Sequence, residues 1–402
     1  MNRRFQYAVV ASSTCIVFLL LFGAIKVHSA SPDQPYTQLG VYSDVLTKIK
    51  LEYVEEPDIK AVTLGAVNGM LESIDPFASF LDATQYKKYQ AEHGKGAADV
   101  GLYLSRGPGY LRIVDALPGS PSDKEKLTTG DVIESINGIS TRDMPLAYAE
   151  LLLQGAPGTT VELAALTARQ TDPLILKLTR AAVVYPAVTS HMVTDGPQPV
   201  GVVTTGTLMA GQAKEIAQKV SALEKQGAKK IVLDLRFCAL GPTEEGVALA
   251  DQFMDSGLIA YTSGQKARRQ DFTATPETVT KLPLVVLTNR GTAGAAEVAA
   301  AALQDSGRAQ LVGEPTFGDA AIHKAITLDD GSAIILATAK YYSPKGKAIQ
   351  DVRVTPTVLQ AQYEAPTAED DPNAVTPAPT SARDLILRKG LGELPAILKN
   401  VK

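Results

Sequence analysis

The strongest constraint in this sequence lies in its second half, where short aliphatic runs alternate with longer helix-forming ones. Residues 200–205, 230–235 and 282–288 are short runs rich in Val, Ile and Leu, too short for ordinary helices, so they read as buried strands. Residues 210–226, 244–255 and 293–304 carry helix-forming composition over a longer span. This alternation predicts an α/β domain with a sheet at its centre. Asp329-Asp330-Gly331 lies between two β-rich runs, 321–328 and 333–341, which predicts a hairpin.

The rest of the chain bounds what surrounds that sheet. At 402 residues, 45% hydrophobic and 20% charged, it can build two or three domains with real cores. A formal charge of -4 gives it no general attraction for nucleic acid, and nucleic-acid binding is set aside. Four His and no Cys/His cluster predict no metal site, and nothing points to a cofactor. Arg3 and Arg4 precede an apolar stretch, residues 8–25, long enough to cross a bilayer with its basic end in the cytoplasm. Val27-His28-Ser29-Ala30 is a weak cleavage site, so residues 1–30 read as an inner-membrane anchor, with secretion after cleavage as the alternative. Either way the remainder is expected outside the cytoplasm, in a periplasmic setting. The only other cysteine besides Cys15 is Cys238, so the exported part forms no internal disulfide.

Leu39, Tyr42, Val45, Leu46 and Ile49 recur at helical spacing, and a second helix over 59–71 ends before Asp75-Pro76. These define an N-terminal helical module over 37–96. Residues 97–181 read as short strands and turns with three fingerprints. Gly101-Leu102-Tyr103-Leu104 stands where a carboxylate-binding loop would be, Gly130 to Gly138 reads as turn, strand and hairpin, and Leu151-Leu152-Leu153 is followed by Gly155-Ala156-Pro157-Gly158-Thr159. Together they resemble a PDZ domain, a module that captures peptide C-termini by strand addition. The α/β core follows over 182–362. Residues 363–381 are rich in Pro, Ala and acid and read as a disordered linker, and 382–402 as a terminal helical segment that docks back. The expected class is therefore a multidomain α+β and α/β chain with an inserted PDZ domain.

In order, these pieces resemble the C-terminal processing peptidases, serine endopeptidases with a Ser/Lys dyad. The carriers are Tyr53-Val54-Glu55-Glu56, Gly69-Met70-Leu71-Glu72-Ser73-Ile74-Asp75-Pro76, Leu233-Asp234-Leu235-Arg236, Val312-Gly313-Glu314 and Tyr341-Tyr342-Ser343-Pro344-Lys345-Gly346. The resemblance implies a nucleophile in a Gly-Ser-Ala-Ser-Ala-Ser-Glu segment, which here reads Gly291-Thr292-Ala293-Gly294-Ala295-Ala296-Glu297. Gly294 stands at the nucleophile position and has no atom that attacks a carbonyl. The implied base is the lysine of Thr-Phe-Gly-Lys-Gly, with a glutamine four residues on. Asp319 and His323 stand in those places, and the separation from Gly294 to Asp319 equals the family's own. The implied oxyanion loop, Asp-Leu-Arg-Asn-Asn-Pro-Gly-Gly, becomes Asp234-Leu235-Arg236-Phe237-Cys238-Ala239-Leu240-Gly241. Leu240 is expected to resist the positive φ a glycine allows and to fill the cleft.

Two functions follow as expectations. One is a membrane-tethered pseudoprotease whose Gly101, Leu102, Tyr103 and Leu104 bind peptide C-termini, partnered by another copy or an active relative. The other is a working endopeptidase with a rebuilt site, in which Thr292 attacks while His323 and Asp319 serve as base and orienter. Thr292 has a plainer role as the N-cap of the Ala-rich helix, Cys238 as a core residue and Lys324 as a solvated one.

Overall fold

The computed structural model describes residues 34–92, 98–107, 109–142, 144–167, 172–194, 198–350, 352–362 and 384–397. The expected anchor over 1–30 and the linker over 363–381 lie outside these residues. Among the described residues no helix is long and apolar enough to cross a membrane. The chain divides into two compact units, Met1–Ala66 and Val67–Lys402. The first is helical: Gln34–Glu52 forms one helix, and Asp58 Oδ1 caps the start of the next by accepting from the Lys60 and Ala61 N–H groups at 2.9 and 3.1 Å. Leu39, Val41 and Val45 on the first helix are exposed.

In the second unit the expected central sheet has six strands. Its order is Val358–Leu359, Ala309–Gly313, Leu284–Thr288, Lys230–Asp234, Val200–Thr204 and Thr189–Val193. All pair in parallel except the last, which is antiparallel to its neighbour. The strands are apolar on both sides because both faces are covered. Ile231, Leu233, Leu284 and Val286 meet the helices Gln212–Lys225, Thr243–Asp251 and Ala295–Asp305. Val202, Val232, Val285 and Leu287 meet Ile386, Leu387 and Leu391 of the C-terminal helix Leu385–Ile397.

That helix packs so closely that a Cβ at Gly390 would lie 2.6 Å from Leu287 Cδ2. Its start is held by Arg236, whose guanidinium pairs with Asp234 and Asp384, each at 2.6 Å. Both carboxylates hold Arg236 well above the usual arginine range despite its burial. Asp384→Ala leaves Arg236 its second partner. It is expected to cost about 1.5–3 kcal/mol, the range for a hydrogen bond to a charged group. Hydrogen exchange should accelerate in Leu385–Ile397 first, and unchanged protection of that helix would refute the docking role.

A second, antiparallel sheet joins Ser79–Leu81, Ala333–Tyr342, Leu258–Ser263 and Gln270–Thr273, with Ala321–Thr327 forming the expected hairpin on Ala333–Tyr342. The Asp329-Asp330-Gly331 turn closes it, with Gly331 at φ 83°. The PDZ-like region is a third sheet, ordered Leu102–Arg106, Leu111–Ala116, Val132–Ile136, Thr160–Leu166 and Leu174–Thr179, with Ile139–Ser140 on Val132–Ile136. Its helix is Leu146–Leu153. Asn137 and Gly138 take φ 52° and 75°, the paired positive values of a tight hairpin turn.

Candidate active site

Parallel sheets gather function at the carboxyl ends of their strands. Here three adjacent strands, Lys230–Asp234, Leu284–Thr288 and Ala309–Gly313, deliver loops 235–241, 289–294 and 314–320 to one edge. Gly294 is the N-cap of Ala295–Asp305, at φ 57° and ψ −119°. Only glycine takes such a backbone without strain. A Cβ there would meet the Ala239 and Asp319 carbonyl oxygens at 3.6 and 3.7 Å, ordinary contact distances. The space for a side chain is present although the side chain is not.

The loops are tied by Glu297, which is fully buried. Its Oε2 accepts from the Gly294 N–H at 3.1 Å and the Asp319 N–H at 2.8 Å, and its Oε1 from the Gly318 N–H at 2.7 Å and the Thr316 hydroxyl. Burial pushes its carboxyl up to about 7, against the pull of those donors.

Thr292 is not the helix cap. Its hydroxyl donates to the Leu235 carbonyl at 2.8 Å and accepts from the Asn289 N–H at 3.0 Å, locking loop 289–294 to the end of the neighbouring strand. Nor does it meet His323. The imidazole Nε2 lies 2.8 Å from Asp75 Oδ2, so the partner of His323 is Asp75 and not Asp319. Asp75 also accepts from the Phe77 N–H at 2.9 Å. Burial opposes protonation of His323, but Asp75 and then Asp319 and Glu150 outweigh it and raise its pKa. Asp75 is lowered in turn, the His323 bond overcoming its burial. Among the described residues no hydroxyl or thiol is hydrogen-bonded to His323.

Asp319 accepts a short hydrogen bond from the Tyr103 phenol of the carboxylate-loop segment. Burial and the adjacent Asp319 push Tyr103 well above the usual phenol range. Phe77 stacks on Tyr103 at 6.3 Å between ring centroids and meets Phe317 edge-on at 5.8 Å. Val114 of the PDZ strand Leu111–Ala116 packs with Ala239 and Ala293. The PDZ sheet thus roofs the loops that carry Gly294.

In loop 235–241 the left-handed residue is Phe237, at φ 53°, and Gly241 sits at φ 140°; Leu240 is not at positive φ. The expected conflict at Leu240 is therefore displaced three residues, onto a bulky side chain that tolerates this region poorly. The Leu240 carbonyl accepts from the Leu208 N–H at 2.7 Å, and a Cβ on Gly241 would lie 2.0 Å from the Leu208 oxygen. Cys238 is buried in the main core, and burial pushes its thiol up, away from nucleophilic use. Lys324 is exposed.

Gly101 takes φ 80°, and a Cβ there would strike Ser120 at 2.3 Å, so this turn requires glycine. Its N–H donates to Asp99 Oδ1 at 2.7 Å. Leu102 and Leu104 lie on the edge strand, Leu104 buried in the PDZ core. Sequence reading missed the Asp75, Tyr103 and Glu297 partnerships, because each joins residues whose contact depends on the assembled fold.

A helix-capped turn at the carboxyl edge of a parallel sheet, beneath a PDZ sheet, defines the class as a PDZ-bearing peptidase fold. The pattern of peptidase family S41 matches residues 199–359 and that of the PDZ domain residues 112–166. The carboxyl-terminal-processing protease of Synechocystis is 34% identical over 319 residues, 78% of this chain and 75% of the relative. The carboxy-terminal processing protease CtpA of Bacillus subtilis is 30% identical over 357 residues, 87% of this chain and 74% of the relative. The solved photosystem II D1 C-terminal processing protease superposes with a TM-score of 0.66 at 30% identity, covering 79% of this chain and 86% of that one. The chain belongs to the carboxyl-terminal-processing protease family.

Proposed function

We propose that this chain is a non-proteolytic member of its family, held outside the cytoplasm by its N-terminal apolar segment, that binds peptide C-termini through its PDZ domain. The observation that carries the reading is Gly294, a residue without a nucleophile on the turn where the resemblance puts one. His323 supports it, since Asp75 engages its Nε2 and no hydroxyl or thiol among the described residues bonds to it. In subtilisin, a Ser protease of a different fold, losing the nucleophile alone costs about a million-fold in turnover. Gly101, Leu102, Tyr103 and Leu104 form the peptide-binding segment, and the exposed apolar face of Gln34–Glu52 is the surface for another copy or an active relative.

The test uses the full chain in detergent with an unstructured protein substrate and with labelled C-terminal peptides. Saturable peptide binding without cleavage is expected. Cleavage that persists in the purified chain and is abolished by Thr292→Ala or His323→Ala would establish the rebuilt endopeptidase instead.

A further inference from the structure

The strand Leu102–Arg106 ends the PDZ sheet, so one of its edges is open to an added strand. In this structure the chain itself runs along that edge. The Arg106 N–H donates out of the sheet to the Pro76 carbonyl at 3.2 Å, a backbone bond of the kind an added peptide makes. The buried Arg106 guanidinium pairs with Glu72 Oε2 at 3.2 Å and donates to the Met144 carbonyl at 2.9 Å, just ahead of the helix Leu146–Leu153. Further on, the Ser79 hydroxyl accepts from the Ala147 N–H at 3.1 Å, in the first turn of that helix. Residues 76–79 therefore bond to the edge strand at one end and to the helix at the other.

Between these bonds stands Phe77. It is 8% exposed and shares one buried apolar cluster with Leu104 of the edge strand and with Leu146 and Ala149 of the helix. Asp75 fixes the start of the segment: its Oδ1 accepts from the Phe77 N–H at 2.9 Å while its Oδ2 lies 2.8 Å from His323 Nε2. The Phe77 ring meets the His323 ring edge-on at 6.0 Å. A peptide laid along the whole of Leu102–Arg106 would find the Pro76 carbonyl and the Phe77 ring already in place.

Resting on the peptide-binding reading above, we propose that Pro76–Ser79 is a built-in competitor for the PDZ slot, and that a peptide C-terminus binds along the full strand only when this segment withdraws. Withdrawal breaks the Arg106–Pro76 and Ala147–Ser79 bonds and draws Phe77 out of its cluster. It also pulls on the Asp75–His323 pair, so occupancy of the slot is passed to the candidate site. A ligand that binds only the open form has its affinity reduced by the fraction of chains that are open.

The test is a fluorescence-anisotropy titration of the full chain in detergent with a short labelled peptide that ends in leucine with a free carboxylate, for the parent and for Phe77→Ala and Ser79→Ala. Weakening the competitor raises the open fraction, so Phe77→Ala is expected to bind about tenfold more tightly than the parent and Ser79→Ala a few-fold more tightly. Hydrogen exchange in the parent gives a second reading that does not depend on how a variant folds: added peptide should speed exchange of the Phe77, Ala78 and Ala147 amides. Binding by the variants alone would support the proposal in full. Equal affinity of the parent and Ser79→Ala, with exchange of those amides unchanged by peptide, would show the segment to be a fixed wall and overturn the proposal while peptide binding stands. Absence of binding by all three proteins overturns the peptide-binding reading and the proposal together.

Discussion

Raising the pH from 5 to 9 is expected to lower the unfolding temperature of this protein, and Asp115→Asn to remove a large share of that loss. Asp115 lies on the PDZ strand that roofs the candidate site, is 4% exposed, and its Oδ2 has no hydrogen-bond partner among the described residues. Burial, and secondarily Asp123, push its carboxyl up to about 8. The folded value exceeds the unfolded one of about 3.9, so the folded chain holds an extra proton between them. Stability is then greatest below the unfolded value and is lost as pH rises toward 8, where the acid must ionise without a partner. Glu150 and Glu297, each pushed up to about 7, act in the same direction. His323 does too, being raised by its partners. Asp75 is lowered and loses its contribution only in acid, outside this window. One such group changes stability by about 1.4 kcal/mol per pH unit at most, or roughly 2–4 °C in a domain of this size. Melting curves of parent and variant that run parallel from pH 5 to 9 would show that Asp115 is not buried as described.

Glu297→Ala is expected to be the most destabilising single substitution at the candidate site. It leaves four donors in a fully buried place, the N–H groups of Gly294, Gly318 and Asp319 and the Thr316 hydroxyl, without their acceptor. Each orphaned group costs about 1–3 kcal/mol, and because the loops relax together the expected total is about 3–5 kcal/mol. Glu297→Gln should recover only part, since its amide nitrogen faces donors rather than acceptors. Chemical denaturation reads the effect; a loss within about 0.5 kcal/mol, the size of an ordinary surface change, would refute the tie.

The fold was legible where periodicity is local. Residues 200–205, 230–235 and 282–288 announce strands by short runs rich in Val, Ile and Leu, and the observed strands end within two residues of those limits. The hairpin around Gly331 follows from turn chemistry, and the turn at Asn137 and Gly138 from the resemblance to a PDZ domain. The positions along the loop edge were legible through resemblance, but their partners were not. His323 meets Asp75 across 248 residues and Tyr103 meets Asp319 across 216, and no local pattern encodes such a pairing. Thr292 looked like a cap because Thr before an Ala-rich run usually is one. The chain turns two residues later, at Gly294, and the hydroxyl is left to bond Leu235 instead. Leu240 looked strained because it replaces a glycine, but the backbone puts its left-handed residue at Phe237.

The seam of Val114 on Ala239 and Ala293 has a mechanical corollary. Prising that strand from the loops beneath would expose these three apolar side chains to water, so the hydrophobic effect itself holds the two layers shut.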